Sequence, residues 1–182
     1  MGGIISSIRS WFSSKKEVKI LILGLDSAGK TTILYRLSLG QYIQQVAPTV
    51  AFNLEKVEVG NLTLQIWDLG GQHLLRPYWR FYYKDNHGVV FVVDSADKER
   101  MDLCKSELHA LLGEEELKGV PFVIIANKQD LDSAMKPEEI SDKLALSTIK
   151  DRPWTIVPTS ALKGEGINSA FEWLSEQIEE KQ

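Results

Sequence analysis

The sequence predicts an α/β domain: a mostly parallel six-stranded sheet with one antiparallel edge strand, helices on both faces, and an amino-terminal amphipathic helix in front. Three observations predict it. Short, wholly apolar runs alternate with stretches of helical spacing, as buried parallel strands and their crossover helices do. Two runs of alternating polarity flank Gly60-Asn61, a hairpin signal that turns one edge antiparallel. A chain of 182 residues, 43% hydrophobic and 25% charged, suits one domain with a substantial core.

In chain order, residues 18–23 (VKILIL) read as a buried strand that stops at Gly24, and residues 29–39 have helical spacing. The hairpin arms are residues 52–59 and 62–67. Residues 88–93 (GVVFVV) and 121–126 (PFVIIA) read as central strands, with a helix over 101–112 between them. A helix after Pro137, a strand at 155–157 and a helix over 167–178 complete the set. No repeat or low-complexity linker interrupts them. A net charge of −4 argues against nucleic-acid binding by bulk charge. One cysteine excludes an internal disulfide framework, and no run approaches the roughly 18 apolar residues of a membrane span. The expectation is a soluble intracellular domain.

In sheets of this kind ligands sit beyond the carboxyl ends of the strands. The first such loop, Gly24-Leu25-Asp26-Ser27-Ala28-Gly29-Lys30-Thr31, matches G-x-x-x-x-G-K-[ST] between a strand and a helix. Its glycines let backbone N–H groups curl around phosphates at the positive end of the helix dipole. Lys30 is expected to reach the outer phosphates and the Thr31 hydroxyl to ligate Mg²⁺. The motif indicates a nucleoside triphosphate without choosing its base.

Asn127-Lys128-Gln129-Asp130 follows the fifth strand. A carboxylate at Asp130 can accept from both the ring N–H and the amine of guanine, a donor pair that adenine lacks. The unpaired charge left by adenine would discriminate strongly. The stem of Lys128 can lie over the base, and Asn127 can tie this loop to the phosphate loop. Ser160-Ala161-Leu162 could offer backbone N–H to the guanine oxygen. Asp68-Leu69-Gly70-Gly71-Gln72 ends the third strand: Asp68 is expected to hold Mg²⁺ through water, Gly71 N–H to meet the terminal phosphate, and Gln72 to orient the attacking water. Thr49, after Pro48, could complete the ion shell. A plain strand-end cap is the competing reading of Asp68.

These residues resemble those of Ras-type small GTPases, and more narrowly of the ADP-ribosylation factor (Arf) and Arf-like family. The matching stretches are GLDSAGKTT (through Thr32), Pro48-Thr49, WDLGGQ, RPYWR and NKQD, together with the amino terminus. MGG at the start and RPYWRFYY over 76–83 are most similar to the Golgi-type Arf-like members. The resemblance implies GTP and GDP as ligands with Mg²⁺, GTP hydrolysis, a monomer in the diphosphate form, regulation of Golgi and vesicle traffic, and a location that is cytoplasmic and peripheral on Golgi membranes. It implies an exchange factor, a GTPase-activating protein, and effectors such as tethering coiled coils.

Met1-Gly2-Gly3-Ile4-Ile5-Ser6 fits the pattern for myristoylation at Gly2. Ile4, Ile5, Ile8, Trp11 and Phe12 fall within roughly a 120° arc of a helix, with serines and Arg9 opposite. Such a helix would lie in a bilayer interface, aided by Lys15, Lys16 and Lys19. The alternative is packing on the protein's own surface, and the resemblance implies both, in different nucleotide states. The boundary between this arm (1–16) and the GTPase domain (17–182) is expected at residue 16.

The resemblance also implies that the hairpin slides along the sheet when GTP binds and expels the arm. A one-residue slip would invert every side chain, so the step should be even, about two residues. Phe52, Trp67 and Tyr82 match the family's effector-facing aromatics, with Tyr78 and Tyr83 nearby in sequence; core packing is the competing reading. No arginine stands out as acting in cis, and Asp26 is an acid placed where it could disturb the terminal phosphate. Unassisted hydrolysis should therefore be slow, since a partner's arginine gives comparable switches roughly 10⁵-fold. Ala51 stands where the family commonly has glycine, which would stiffen the hairpin. Two other classes remain open: a P-loop nucleotide kinase or ATPase, and a non-catalytic GTP-dependent membrane tether.

Overall fold

The computed structural model describes residues 15–40 and 47–181. The amino-terminal arm, including Gly2 and the amphipathic stretch, lies outside the described residues. The strands are β1 (Lys16–Leu23), β2 (Phe52–Val59), β3 (Leu62–Leu69), β4 (Gly88–Asp94), β5 (Phe122–Asn127) and β6 (Trp154–Pro158). The helices are α1 (Lys30–Leu39), α2 (Met101–Leu112), α3 (Pro137–Lys143) and α4 (Ile167–Glu180). The six strands lie in the order β2-β3-β1-β4-β5-β6, every neighbouring pair parallel except β2 with β3.

β1 shows how the sheet divides the core. Leu21 and Leu23 pack with α2 and α3, through Met101, Leu108 and Ile140. Val18, Ile20 and Ile22 pack on the opposite face with α1 and α4, through Ile33, Leu34, Phe171 and Leu174. Alternation along the strand sends neighbours to opposite faces, so both faces must be covered. β4 and β5 are accordingly buried along nearly their whole length. β2, at the edge, alternates half-buried and exposed residues, and its antiparallel register with β3 runs from Phe52↔Leu69 to Val59↔Leu62.

Pairing with β3 carries β1 back to Lys16, before the apolar run begins, so the strand takes in one residue of the expected arm. β3 likewise continues to Asp68 and Leu69, because both pair with β2. Arg76–Tyr82 forms a 3-10 helix with Pro77 in its first turn, an element that the spacing of its aromatics does not announce. Trp79 and Tyr83 are buried in the core, so Tyr83 is a packing residue rather than a surface aromatic.

Cys104 is also a core residue, 4% exposed, and burial pushes its thiol up to about 12. Thiolate, the reactive species, is then scarce at pH 8. Iodoacetamide should label the folded chain at pH 8 at least about 100-fold more slowly than the urea-unfolded chain. Comparable rates would mean that Cys104 is accessible.

Candidate functional site

The phosphate loop bends because three of its residues take positive φ: Gly24 (142°), Ser27 (63°) and Gly29 (97°). Backbone of this kind turns successive amides toward one concavity. A side chain at Gly29 would strike Asn127 Nδ2, so glycine is required there by space as well as by φ. α1 starts from Gly29 without a side-chain cap, which leaves its first amides for an anion. Lys30 is 6% exposed, and its Nζ donates to Leu25 O at 2.8 Å. Burial lowers its ammonium to about 8 against the opposing pull of Asp68 and Asp26, so an incoming polyanion favours the charged form.

Three oxygen groups, from α1, the loop before β2 and the end of β3, meet beside Lys30. Thr31 Oγ1 lies 2.8 Å from Thr49 Oγ1 and donates to Asp68 Oδ2 at 2.5 Å. Asn53 Nδ2 donates to the same Asp68 oxygen at 3.2 Å. Asp68 is fully buried, and burial raises its carboxyl pKa despite these donors. Its other oxygen, Oδ1, is buried with no hydrogen-bond partner among the described residues. A buried carboxylate oxygen left bare beside two hydroxyls fits a hard cation that keeps waters and shares phosphate oxygens. It does not fit the strand-end cap. Among the described residues there is no cluster of three or more His, Cys, Asp or Glu, so a metal here would rely on substrate oxygens.

Gly71 closes the site opposite the loop. Its carbonyl accepts from Asp26 N at 3.2 Å and from Arg76 Nε at 3.1 Å. A Cβ on Gly71 would sit 2.5 Å from Gly24 O and 2.6 Å from Asp26 N, and closer still to Lys30 Nζ. A cavity of about 330 Å³ opens here, lined by the phosphate loop, Thr32, Pro48, Thr49, Gly71, the exposed Gln72 and Lys128.

The Asn127–Asp130 loop is tied in by its neighbours. Asn127 Nδ2 donates to Ala28 O at 2.9 Å, joining it to the phosphate loop across the sheet. Asn127 Oδ1 accepts from Thr159 Oγ1 at 3.1 Å and from Ala161 N at 3.0 Å. The Ala161 amide, expected to meet a guanine oxygen, is thus engaged within the protein. Lys128 takes a positive φ of 67° and its Nζ pairs with Asp94 Oδ2 at 2.6 Å, which fixes its stem along the cavity wall. Ser160 Oγ donates to Asp130 Oδ1 at 2.6 Å, orienting that carboxylate. Leu162 is exposed, 49%, and its carbonyl accepts from Arg36.

A model of the "ADP-ribosylation factor family" matches residues 4–178 of the chain. The chain belongs to the ADP-ribosylation factor family. It is 52% identical to ADP-ribosylation factor-like protein 1 of Saccharomyces cerevisiae and 49% identical to the Drosophila melanogaster protein of the same description; in each case all of this chain is covered, with 100% and 99% of the relative. A Trypanosoma brucei Arl6 small GTPase, solved with the nucleotide analogue GppNp, superposes with a TM-score of 0.83 at 35% identity, over 92% of this chain and all of that one. This Arf-family chain is therefore a small GTPase, an enzyme that hydrolyses GTP, and its fold binds guanine nucleotide. The kinase and ATPase readings fall.

Several residues around this cavity in the Arf-family chain are invisible to motif reading. Asn53 reaches Asp68 from the hairpin, and Trp79 Nε1 donates to Gly70 O at 2.9 Å. Gln129 Nε2 binds Ser95 Oγ and Met135 O at 2.8 and 3.0 Å. Two arginines flank the phosphate loop where none was expected: Arg76, which also pairs with Glu107, and Arg100, which pairs with Asp26. Neither lines the cavity.

The aromatics of the hairpin form a cluster. Phe52, Trp67 and Tyr82 have ring centroids 5.0 to 5.7 Å apart, and Phe52 is 43% exposed. Trp67 Nε1 is buried with no partner among the described residues. Tyr78 stands apart, paired with Phe81 at 6.2 Å, both exposed. Ala51 has no positive φ, and its carbonyl accepts from Gly70 N at 3.2 Å, so alanine fits this position without backbone strain.

Proposed function

We propose that this chain is a GTP-operated switch, drawn to Golgi membranes in its triphosphate form, that binds effectors to regulate vesicle traffic. The observation that carries the reading is the meeting of Thr49 and Asp68 on Thr31. Thr49 and Asp68 lie at the two ends of the β2–β3 hairpin, so a terminal phosphate held at this point acts on both ends of it. In this reading Gly24, Leu25, Asp26, Ser27, Ala28, Gly29, Lys30, Thr31 and Thr32 wrap the phosphates. Asn127, Lys128 and Asp130, with Ser160, Ala161 and Leu162, form the base pocket. Thr31, Thr49 and Asp68 would hold Mg²⁺, whose charge offsets that of the β- and γ-phosphates.

Gln72 is the proposed catalytic residue. Its amide holds a water in line with the γ-phosphorus. The water oxygen bonds to phosphorus as the bridging bond to the β-phosphate breaks; GDP leaves with the electron pair, and the water protons end on the phosphate and bulk solvent. Gly71 N–H would meet the oxygens on which charge gathers. Turnover is slow until an activating protein supplies an arginine, and GDP release awaits an exchange factor.

Phe52, Trp67 and Tyr82, flanked by Tyr78, form the proposed effector surface. A recess of about 210 Å³ between Val50, Leu75, Tyr78, Phe81 and Tyr82 adjoins the cluster and suits an apolar side chain of a coiled-coil partner.

Membrane attachment rests on Gly2 and the apolar face of the arm. A myristoyl chain alone binds bilayers with only about 10⁴ M⁻¹, so freeing or hiding that face decides residence. Acylated protein loaded with a non-hydrolysable GTP analogue should co-sediment with liposomes, and the GDP-loaded form should remain largely in the supernatant. Equal partition of the two would end the membrane-switch reading. Among the described residues no helix is long and apolar enough to cross a membrane.

A further inference from the structure

The phosphate loop carries an acid, Asp26, on the wall of a cavity that takes a polyanion. An uncompensated carboxylate there would repel the ligand. It is compensated by Arg100, 74 residues later in the chain, at the start of α2. One guanidinium nitrogen donates to Asp26 Oδ1 at 2.9 Å and the other to the Asp26 carbonyl at 3.1 Å. Nε donates to Asp97 Oδ2 at 2.6 Å, and the Arg100 amide to Asp97 Oδ1 at 3.2 Å. Asp97 thus fixes the fork from one side while the fork holds Asp26 from the other, a planar geometry that only arginine presents.

Asp26 also touches the element that closes the site. Its amide donates to Gly71 O, and a Cβ on Gly71 would run into that same amide. The constraint set by Arg100 is therefore transmitted to the terminal-phosphate end of the cavity. The β4–α2 loop that carries Asp97 and Arg100 begins at Asp94, which holds Lys128. One loop thus sets the position of both the base side and the phosphate side.

We propose that Arg100 is a positioning residue for triphosphate binding: it neutralises Asp26 and pins the phosphate loop in the conformation onto which Gly71 closes. This rests on the reading of the cavity as a guanine-nucleotide site. It predicts a nucleotide-selective defect, greater for the triphosphate than for the diphosphate.

The test is release of fluorescent GDP and of a fluorescent non-hydrolysable GTP analogue from the full chain with Mg²⁺. Arg100→Ala should speed release of the triphosphate analogue about tenfold and of GDP by about threefold or less, the scale of charge-assisted contacts in partly exposed sites. Arg100→Lys should fall between, since an ammonium supplies the charge without the fork. Adding Asp26→Asn to Arg100→Ala should recover much of the loss, because the carboxylate to be neutralised is gone; a collapse of the fold would not be recovered. Added salt should narrow the gap between native and Arg100→Ala. Native-like release by Arg100→Ala, equal acceleration for both nucleotides, or a double variant no slower than Arg100→Ala would each overturn the proposal. Failure of the native chain to bind either nucleotide would overturn the site reading instead, which keeps the two failures apart.

Discussion

Asp130→Asn should weaken GDP binding by about 10³-fold, the scale seen when a site built around a charged hydrogen-bond partner loses it. Ser160 holds one carboxylate oxygen at 2.6 Å, so the group is already oriented before a base arrives. Guanine offers two donors on one edge, and a carboxylate can accept both. An amide replaces one of those acceptors with an NH₂, setting donor against donor. The same change should favour xanthine, whose carbonyl stands where guanine has its amine. Competition between GDP and XDP for the native and substituted chains reads both effects. Unchanged GDP affinity would remove Asp130 from the base pocket.

Gly71→Ala should separate the two nucleotide states. Its added methyl would overlap Gly24 O and Asp26 N, both main-chain atoms that cannot swing aside, as well as Lys30 Nζ. Overpacking of this kind costs about 3 kcal/mol, or roughly 100-fold, and it falls on the arrangement in which Gly71 rests against the phosphate loop. On the proposed reading GDP does not call for that closure, and its binding should stay within about fivefold of native on the same scale. The affinity ratio of a non-hydrolysable GTP analogue to GDP, measured by competition, reports the difference. Gly113→Ala is the matched control, because a Cβ there meets nothing nearer than 3.5 Å and its φ is negative. If both nucleotides weaken alike in Gly71→Ala, the glycine serves the loop and not the closure.

Motif spacing made the phosphate loop and the Asn127–Asp130 loop legible because each is one continuous stretch whose chemistry depends on local backbone geometry. The central strands were legible for a related reason: burial on both faces leaves residues such as 89–93 and 122–126 wholly apolar. Legibility stopped where a contact joins distant segments. Asn53 and Asp68 meet because β2 and β3 pair in a particular register, and nothing in either segment names the other. Tyr82 and Tyr83 are adjacent and chemically alike, yet one joins the aromatic cluster and the other enters the core, a choice made by the phase of the 3-10 helix. Asp26 could be flagged as an unfavourable acid, but its partner Arg100 came into view only when β4 and α2 were laid beside the loop.

By itself the sequence determined the sheet, the places of the two motif loops in it and the family, since hydrophobic period and short-range spacing act within a few residues of chain. The tertiary structure alone decided which charges are compensated, which oxygen of Asp68 is left bare, and which amide of the 160–162 loop is already engaged. Those outcomes depend on strand order and register, which bring together side chains that are far apart along the polypeptide, and a desolvated polar group must then find its partner among whatever the fold has put within reach.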